Sequence, residues 1–127
     1  IFDNGQQCRQ ETHAGQSIVL QINPVTKEVV WKYEKGMNFF TKSQGVPQRL
    51  PNGNTFIAES RTGRIFQVTP EGEIAWEYIY KGSFQFPNIY PYDYCPQLAD
   101  LPKPEELAVT PPENKEWQLL PDKLRGY

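Results

Sequence analysis

Gln21-Ile22-Asn23-Pro24 leads through a short turn into Glu28-Val29-Val30-Trp31-Lys32-Tyr33, and Gln67-Val68-Thr69-Pro70 leads into Glu73-Ile74-Ala75-Trp76-Glu77-Tyr78. Trp31 and Trp76 lie 45 residues apart and Pro24 and Pro70 lie 46 apart, because the first copy has one more turn residue. A strand-turn-strand phrase that returns after about 40–50 residues has the spacing of β-propeller blades. Propellers close with roughly 4–8 blades, and a chain of 127 residues has room for two at most. The expected fold is all-β: a partial β-propeller with one incomplete and one complete four-stranded antiparallel blade.

Working outward, four strands read between Gln44 and Tyr80. They cover Gly45–Leu50, Thr55–Glu59, Arg64–Thr69 and Glu73–Tyr80, joined by turns at Pro51-Asn52-Gly53-Asn54, Arg61-Thr62-Gly63 and Pro70-Glu71-Gly72. In the last strand Ile74, Trp76, Tyr78 and Tyr80 alternate with Ala75, Glu77 and Ile79, which puts the aromatic set on one face. Before this complete blade, Ile1-Phe2-Asp3, Ile18–Asn23 and Glu28–Glu34 supply the second, third and fourth strands of another, whose first strand would precede Ile1. The expected domains are therefore 1–34 (incomplete blade, with a long loop at 4–16), 35–80 (complete blade) and 81–127. The last segment holds eight of the twelve prolines, which central strands exclude, yet it is studded with Phe84, Phe86, Tyr90, Tyr92, Tyr94 and Trp117. It reads as an extended arm lying on the propeller or on a partner. Pro104-Glu105-Glu106-Leu107 is placed to start one helical turn, and a polyproline-type ligand is the lesser reading because no PxxP cluster repeats.

Composition narrows the partners. The net charge is −2, with Lys and Arg scattered among acids, which recommends neither nucleic acid nor an anionic membrane. No apolar run approaches the ~20 residues of a membrane span. No signal peptide is legible, since Ile1 opens in strand-like sequence; a mature N-terminus and a truncated chain read alike. Cys8 and Cys95 match no metal motif, and with one histidine they cannot complete a four-ligand zinc site. Two readings stand: two free thiols, or one disulfide tying the N-terminal loop to the tail in an exported protein.

With the strands placed, a signature emerges. Arg49-Leu50-Pro51-Asn52-Gly53-Asn54-Thr55, Glu59-Ser60 with Gly63-Arg64-Ile65-Phe66, and Val68-Thr69-Pro70-Glu71-Gly72-Glu73-Ile74 with Trp76-Glu77-Tyr78 resemble a blade of the arylsulfotransferase-like family. These are six-bladed propellers related in repeat style to the pyrroloquinoline-quinone type. Phe2-Asp3-Asn4-Gly5 resembles the end of a preceding blade's strand pair. Tyr90-Pro91-Tyr92-Asp93-Tyr94 with Pro96-Gln97-Leu98 is similar to a tail that follows the last blade of related bacterial proteins. The resemblance covers most of residues 1–100. It implies sulfuryl transfer from an aryl sulfate to a phenol through a transiently sulfated histidine, without a cofactor, in a periplasmic or secreted protein. Such chemistry needs a nucleophilic imidazole and polar groups that stabilise the sulfate oxygens and the leaving phenolate.

The histidine is where this chain departs from the pattern. The family often sets a His-Asp pair just before the LPNGN turn, and here Gly45-Val46-Pro47-Gln48 stands before Leu50. The one histidine, His13, sits in the long loop at no matching position. A solvated surface residue is its plainer reading, with a catalytic role the alternative. The expected catalytic histidine lies outside this chain. Gln44, Gln48 and Arg49 flank the inner strand and Arg61 sits beside a turn, so these four are the candidates for binding a small aryl sulfate or phenol; as ordinary polar residues they need no function. Asp3 and Glu59 occupy equivalent strand ends, where turn carboxylates that accept backbone N–H bonds are a plainer reading than a cation site. Trp31 and Trp76 read as blade-to-blade packing rather than binding platforms. A chain with open sheet edges calls for the remaining blades or a partner chain. The alternative to an enzyme is a non-catalytic scaffold or binding subunit of an exported assembly. A quinoprotein fragment is disfavoured by the lack of a cofactor or calcium ligand set.

Overall fold

Each Pro-turn-Trp phrase forms the outer hairpin of an antiparallel sheet. The computed structural model describes residues 1–5 and 15–102. Its strands are β1 (Phe2–Asp3), β2 (Ile18–Ile22), β3 (Val29–Tyr33), β4 (Gly45–Arg49), β5 (Thr55–Glu59), β6 (Arg64–Val68) and β7 (Ile74–Ile79). They form two open sheets in chain order, β1-β2-β3 and β4-β5-β6-β7, all antiparallel. This all-β arrangement is consistent with a partial propeller. The described residues contain no α-helix, only single 3₁₀ turns at Gly36–Asn38 and Pro96–Leu98. None of their helices is long and apolar enough to cross a membrane.

The two hairpins turn by related means. Asn23 accepts the amides of Val25 and Thr26 through its side-chain oxygen, the local hydrogen bonding that makes Asn a turn former. In the second hairpin Thr69 does a similar job, its hydroxyl accepting the Glu73 amide. Both turns close through a residue with positive φ, Lys27 at 62° and Gly72 at 84°.

Both hairpins carry a β-bulge at the same place. Ile22 opposes Val29 and Gln21 opposes Trp31, leaving Val30 extra; Val68 opposes Ile74 and Gln67 opposes Trp76, leaving Ala75 extra. A bulge shifts the two-residue alternation by one, so strict alternation along β7 is broken. Ile74 lies with Val68 and Phe66 on the face toward the first sheet, whereas Trp76 and Tyr78 point to the opposite face with Gln67 and Ile65. The expectation that Ile74 shares a face with the aromatic set is corrected accordingly.

The main core is the seam between the sheets. Val19, Tyr33, Phe39, Ile57, Phe66 and Val68 are buried there, with Phe2, Trp31 and Ile74 packed against them. Phe39, a loop residue, is its centre, with ring centroids 5.6 Å from Phe2, 5.2 Å from Tyr33 and 5.8 Å from Phe66. Burying such a side chain contributes about 1.5–3 kcal/mol. Gly45 permits the close approach of the sheets, because a Cβ there would lie 2.1 Å from the Phe2 ring. At the rim of the seam Arg64 is buried, held by Glu77 at 2.5 Å and Glu59 at 3.4 Å, with its guanidinium 4.2 Å from the Phe66 ring. Such a cluster is costly to break, because losing one partner strands a buried charge.

A second core lies on the far face of the second sheet, where Leu50, Phe56 and Ala58 are buried with Val46, Ile65 and the arm residue Ile89. Of the described residues after β7, Ile89 packs on this face. Phe86, Tyr90, Tyr92 and Tyr94 remain exposed, and the proposed helical turn at Pro104–Leu107 falls outside the described residues.

Burial raises the Tyr33 phenol to about 12 from an ordinary value of 10.0, Arg64 pulling the other way and Glu59 and Glu77 adding to the rise. The fold therefore favours the neutral phenol. That contribution is fully present below pH about 10 and is lost as pH rises toward about 12, amounting to roughly 2–3 kcal/mol across the window. Denaturant unfolding at pH 9 and pH 11.5 should show this loss in the native chain and a shallower slope in Tyr33→Phe. Equal slopes for the two proteins would refute the assignment.

Candidate functional site

The polar residues along β4 separate into two ends. Gly45 opposes Glu59 and Arg49 opposes Thr55, so at about 3.3 Å per residue the strand's ends are roughly 13 Å apart. Gln44 and Arg61 belong to the first end and Arg49 to the second. They do not converge on one site.

Gln48 and Arg49 are both engaged in holding the fold. The Gln48 side-chain amide donates to the Ile89 carbonyl and accepts the Ile89 amide, each at 2.8 Å. This paired clip fixes the arm to the far face of the sheet. Arg49 donates to the Gly53 carbonyl at 2.7 Å and to Gln21 Oε1 at 2.6 Å, and its guanidinium lies 4.5 Å from the Trp31 ring. It spans the two sheets. Gln44 is exposed and takes a positive φ of 62° just before β4. Arg61 is exposed on the β5–β6 turn.

The strand-end carboxylates are likewise built into turns. Asp3 Oδ1 accepts the Gly5 amide at 2.9 Å. Glu59 accepts the Phe40 amide at 3.1 Å and the Thr62 hydroxyl at 3.3 Å, in addition to Arg64. No cluster of three or more His, Cys, Asp or Glu suited to a metal occurs among the described residues. His13 and Cys8 lie outside the described residues, and the proposed pairing of Cys8 with Cys95 with them. Cys95 itself donates its thiol to Gln97 Oε1 at 2.7 Å.

Two clefts remain. One, of about 450 Å³, is lined by Ile1, Phe2, Asp3, Asn4, Lys42 and Ser43. It opens beside the start of β4, where Asn4 Oδ1 accepts the Gly45 amide at 3.1 Å. Asp3, Asn4, Lys42 and Ser43 make it the more polar of the two. The sequence reading missed Lys42 here, because only the approach of β1 to β4 brings Lys42 beside Asp3. The other cleft, of about 460 Å³, runs between the sheets past Leu20, Ile22, Trp31, Pro47 and Arg49 and is mainly apolar.

A family model described as Arylsulfotransferase (ASST) matches residues 1–81. That span takes in both sheets and ends where the arm begins. No curated protein and no solved structure matches the chain.

Gln48, one of the candidate binding residues, holds the arm through Ile89. Gln48→Ala should remove both bonds, for a loss of about 1–3 kcal/mol. Hydrogen exchange at the Ile89 amide should accelerate markedly while the β5 and β6 amides stay protected. Unchanged protection at Ile89 would contradict the clip.

Proposed function

The chain belongs to the arylsulfotransferase family, and we propose that it forms the C-terminal part of a β-propeller that moves a sulfuryl group from an aryl sulfate to a phenol, with the nucleophilic histidine outside this chain. In that reaction an imidazole nitrogen bonds to sulfur as the sulfur–oxygen bond to the aryl group breaks and the phenolate leaves. A second phenol then takes the group from the histidine, giving up its proton. Both steps need donors around the sulfate oxygens, and neither calls for a cofactor.

The observation that carries this division of labour is how the polar side chains of the matched segment are used. Gln48 holds the arm, Arg49 holds Trp31, and Asp3, Glu59 and Arg64 serve turns and the seam. In this reading the chain supplies walls and closure, and other blades supply the reacting groups. We place the protein in the periplasm or outside the cell, where a Cys8–Cys95 bond would persist; peptide mapping without reductant detects that bond.

A second reading, a non-catalytic scaffold within an exported assembly, draws on the same structural use of the polar groups. The two readings separate in a transfer assay with 4-nitrophenyl sulfate as donor and phenol as acceptor. Residues 1–127 alone should transfer nothing. The longest natural polypeptide that contains them should transfer, and should continue to do so as His13→Ala. Loss of activity in His13→Ala would move the nucleophile into this chain, and no transfer by the longer protein would favour the scaffold.

A further inference from the structure

The two sheets receive the layer that follows them at the same strand position. Phe2 opposes Val19 and Ala58 opposes Ile65, each partner lying two residues before the glutamine that opposes a tryptophan, Gln21 with Trp31 and Gln67 with Trp76. Phe2 and Ala58 are therefore equivalent, and so are Asn4 and Ser60 two residues on. Asn4 Oδ1 accepts the amide of Gly45, the first residue of β4 in the next sheet, at 3.1 Å. The Ser60 carbonyl accepts the amide of Phe84 at 2.9 Å, and Phe84 belongs to the arm.

Bulk is exchanged across the two layers. On the first sheet the large residue is Phe2, and its ring leaves no room for a Cβ on Gly45. On the second sheet the same position is Ala58, and the bulk comes from the covering layer, where Ile89 packs on the cluster of Leu50, Phe56 and Ala58. Close packing needs one large and one small partner, and each layer has one.

The arm follows β5 between its two anchors. It starts at Ser60 and reaches the clip on Gln48, whose strand partner is Phe56, so it runs against the direction of β5. Phe84, Pro87 and Ile89 are half-buried, whereas Gln85, Phe86 and Asn88 are exposed. Beneath this segment Phe56 is 2% exposed and Ala58 and Ser60 are 0% exposed.

We propose that residues 84–89 are a built-in strap, which takes on the second sheet the seat that β4 takes on the first and keeps that seat in the complete protein. A further sheet added to this face finds β4 and β5 already covered and packs on the outer half, where Trp76 and Tyr78 stand. The strap seats as a unit, since its two anchors share one short segment. The proposal rests on the geometry of the two sheets and is independent of the sulfuryl chemistry.

Hydrogen exchange at single amides tests it, in the 127-residue chain and in the longest natural polypeptide that contains it. The Phe84 and Ile89 amides should be protected in both. Ala58→Phe gives the second sheet the residue that the first carries at that position and should expel the strap, so that both amides exchange about tenfold faster or more while the β6 and β7 amides keep their protection. Ile89→Asp, altered on the strap itself, should also speed exchange at Phe84, five residues away. Far-UV circular dichroism checks the fold, and should Ala58→Phe fail to fold, Ile89→Asp decides alone. A Phe84 amide indifferent to the substitutions overturns the proposal. So do strap amides that are protected in the 127-residue chain and lose that protection in the longer polypeptide, where another sheet would then hold the seat.

Discussion

Everything in this molecule depends on an aromatic pair from one sheet entering the face of the next. A four-stranded sheet has two faces, and neither is stable bare. Here Trp31 and Tyr33 close one face of each sheet at once, with Phe39 from the connecting loop filling the space between Phe2, Tyr33 and Phe66. The polar ends of this contact are satisfied: the indole N–H finds a proline carbonyl, and Arg49 lies against the ring. The buried Arg64 cluster then holds the rim. Without the seam the fold reduces to two separate meanders, each with little core of its own.

The matched family segment, residues 1–81, ends where the arm begins. The inward face of the second sheet is covered by the first sheet. Among the described residues, its far face is covered along the inner strands, by Ile89 and the Gln48 clip. The arm thus protects Phe56 and Ala58 without hiding Trp76. This division separates a covered part of the face from the exposed Trp76 and Tyr78.

The strands themselves were legible in the amino-acid pattern, since the turn formers Asn23, Pro24, Thr69, Pro70 and Gly72 bracket runs of β-branched and aromatic residues. Facing was less so. One extra residue at Val30 and at Ala75 reverses the alternation, and a bulge has no signature in periodicity beyond the break it causes. Phe39 was overlooked because a loop residue has no register. Glu77, which alternates with the aromatic set of β7, lies on the seam side and meets Arg64. For the candidate site, residue type was a poor guide: Gln48 and Arg49 have the donors a sulfate would want, but their partners come from Ile89, Gln21 and Trp31, each remote in sequence. Lys42 became visible only through the approach of β1 to β4.

The two tryptophans allow the central claim to be tested inside one protein. They share a sequence setting, a strand position and a stacking geometry, and differ in environment: Trp31 packs against the core of the seam and Trp76 is exposed. Denaturant unfolding of Trp31→Ala and Trp76→Ala compares them directly. Trp31→Ala should lose about 3 kcal/mol, as large core truncations do, and Trp76→Ala less than about 1 kcal/mol, as exposed sites do. Equal losses at the two positions would contradict the account.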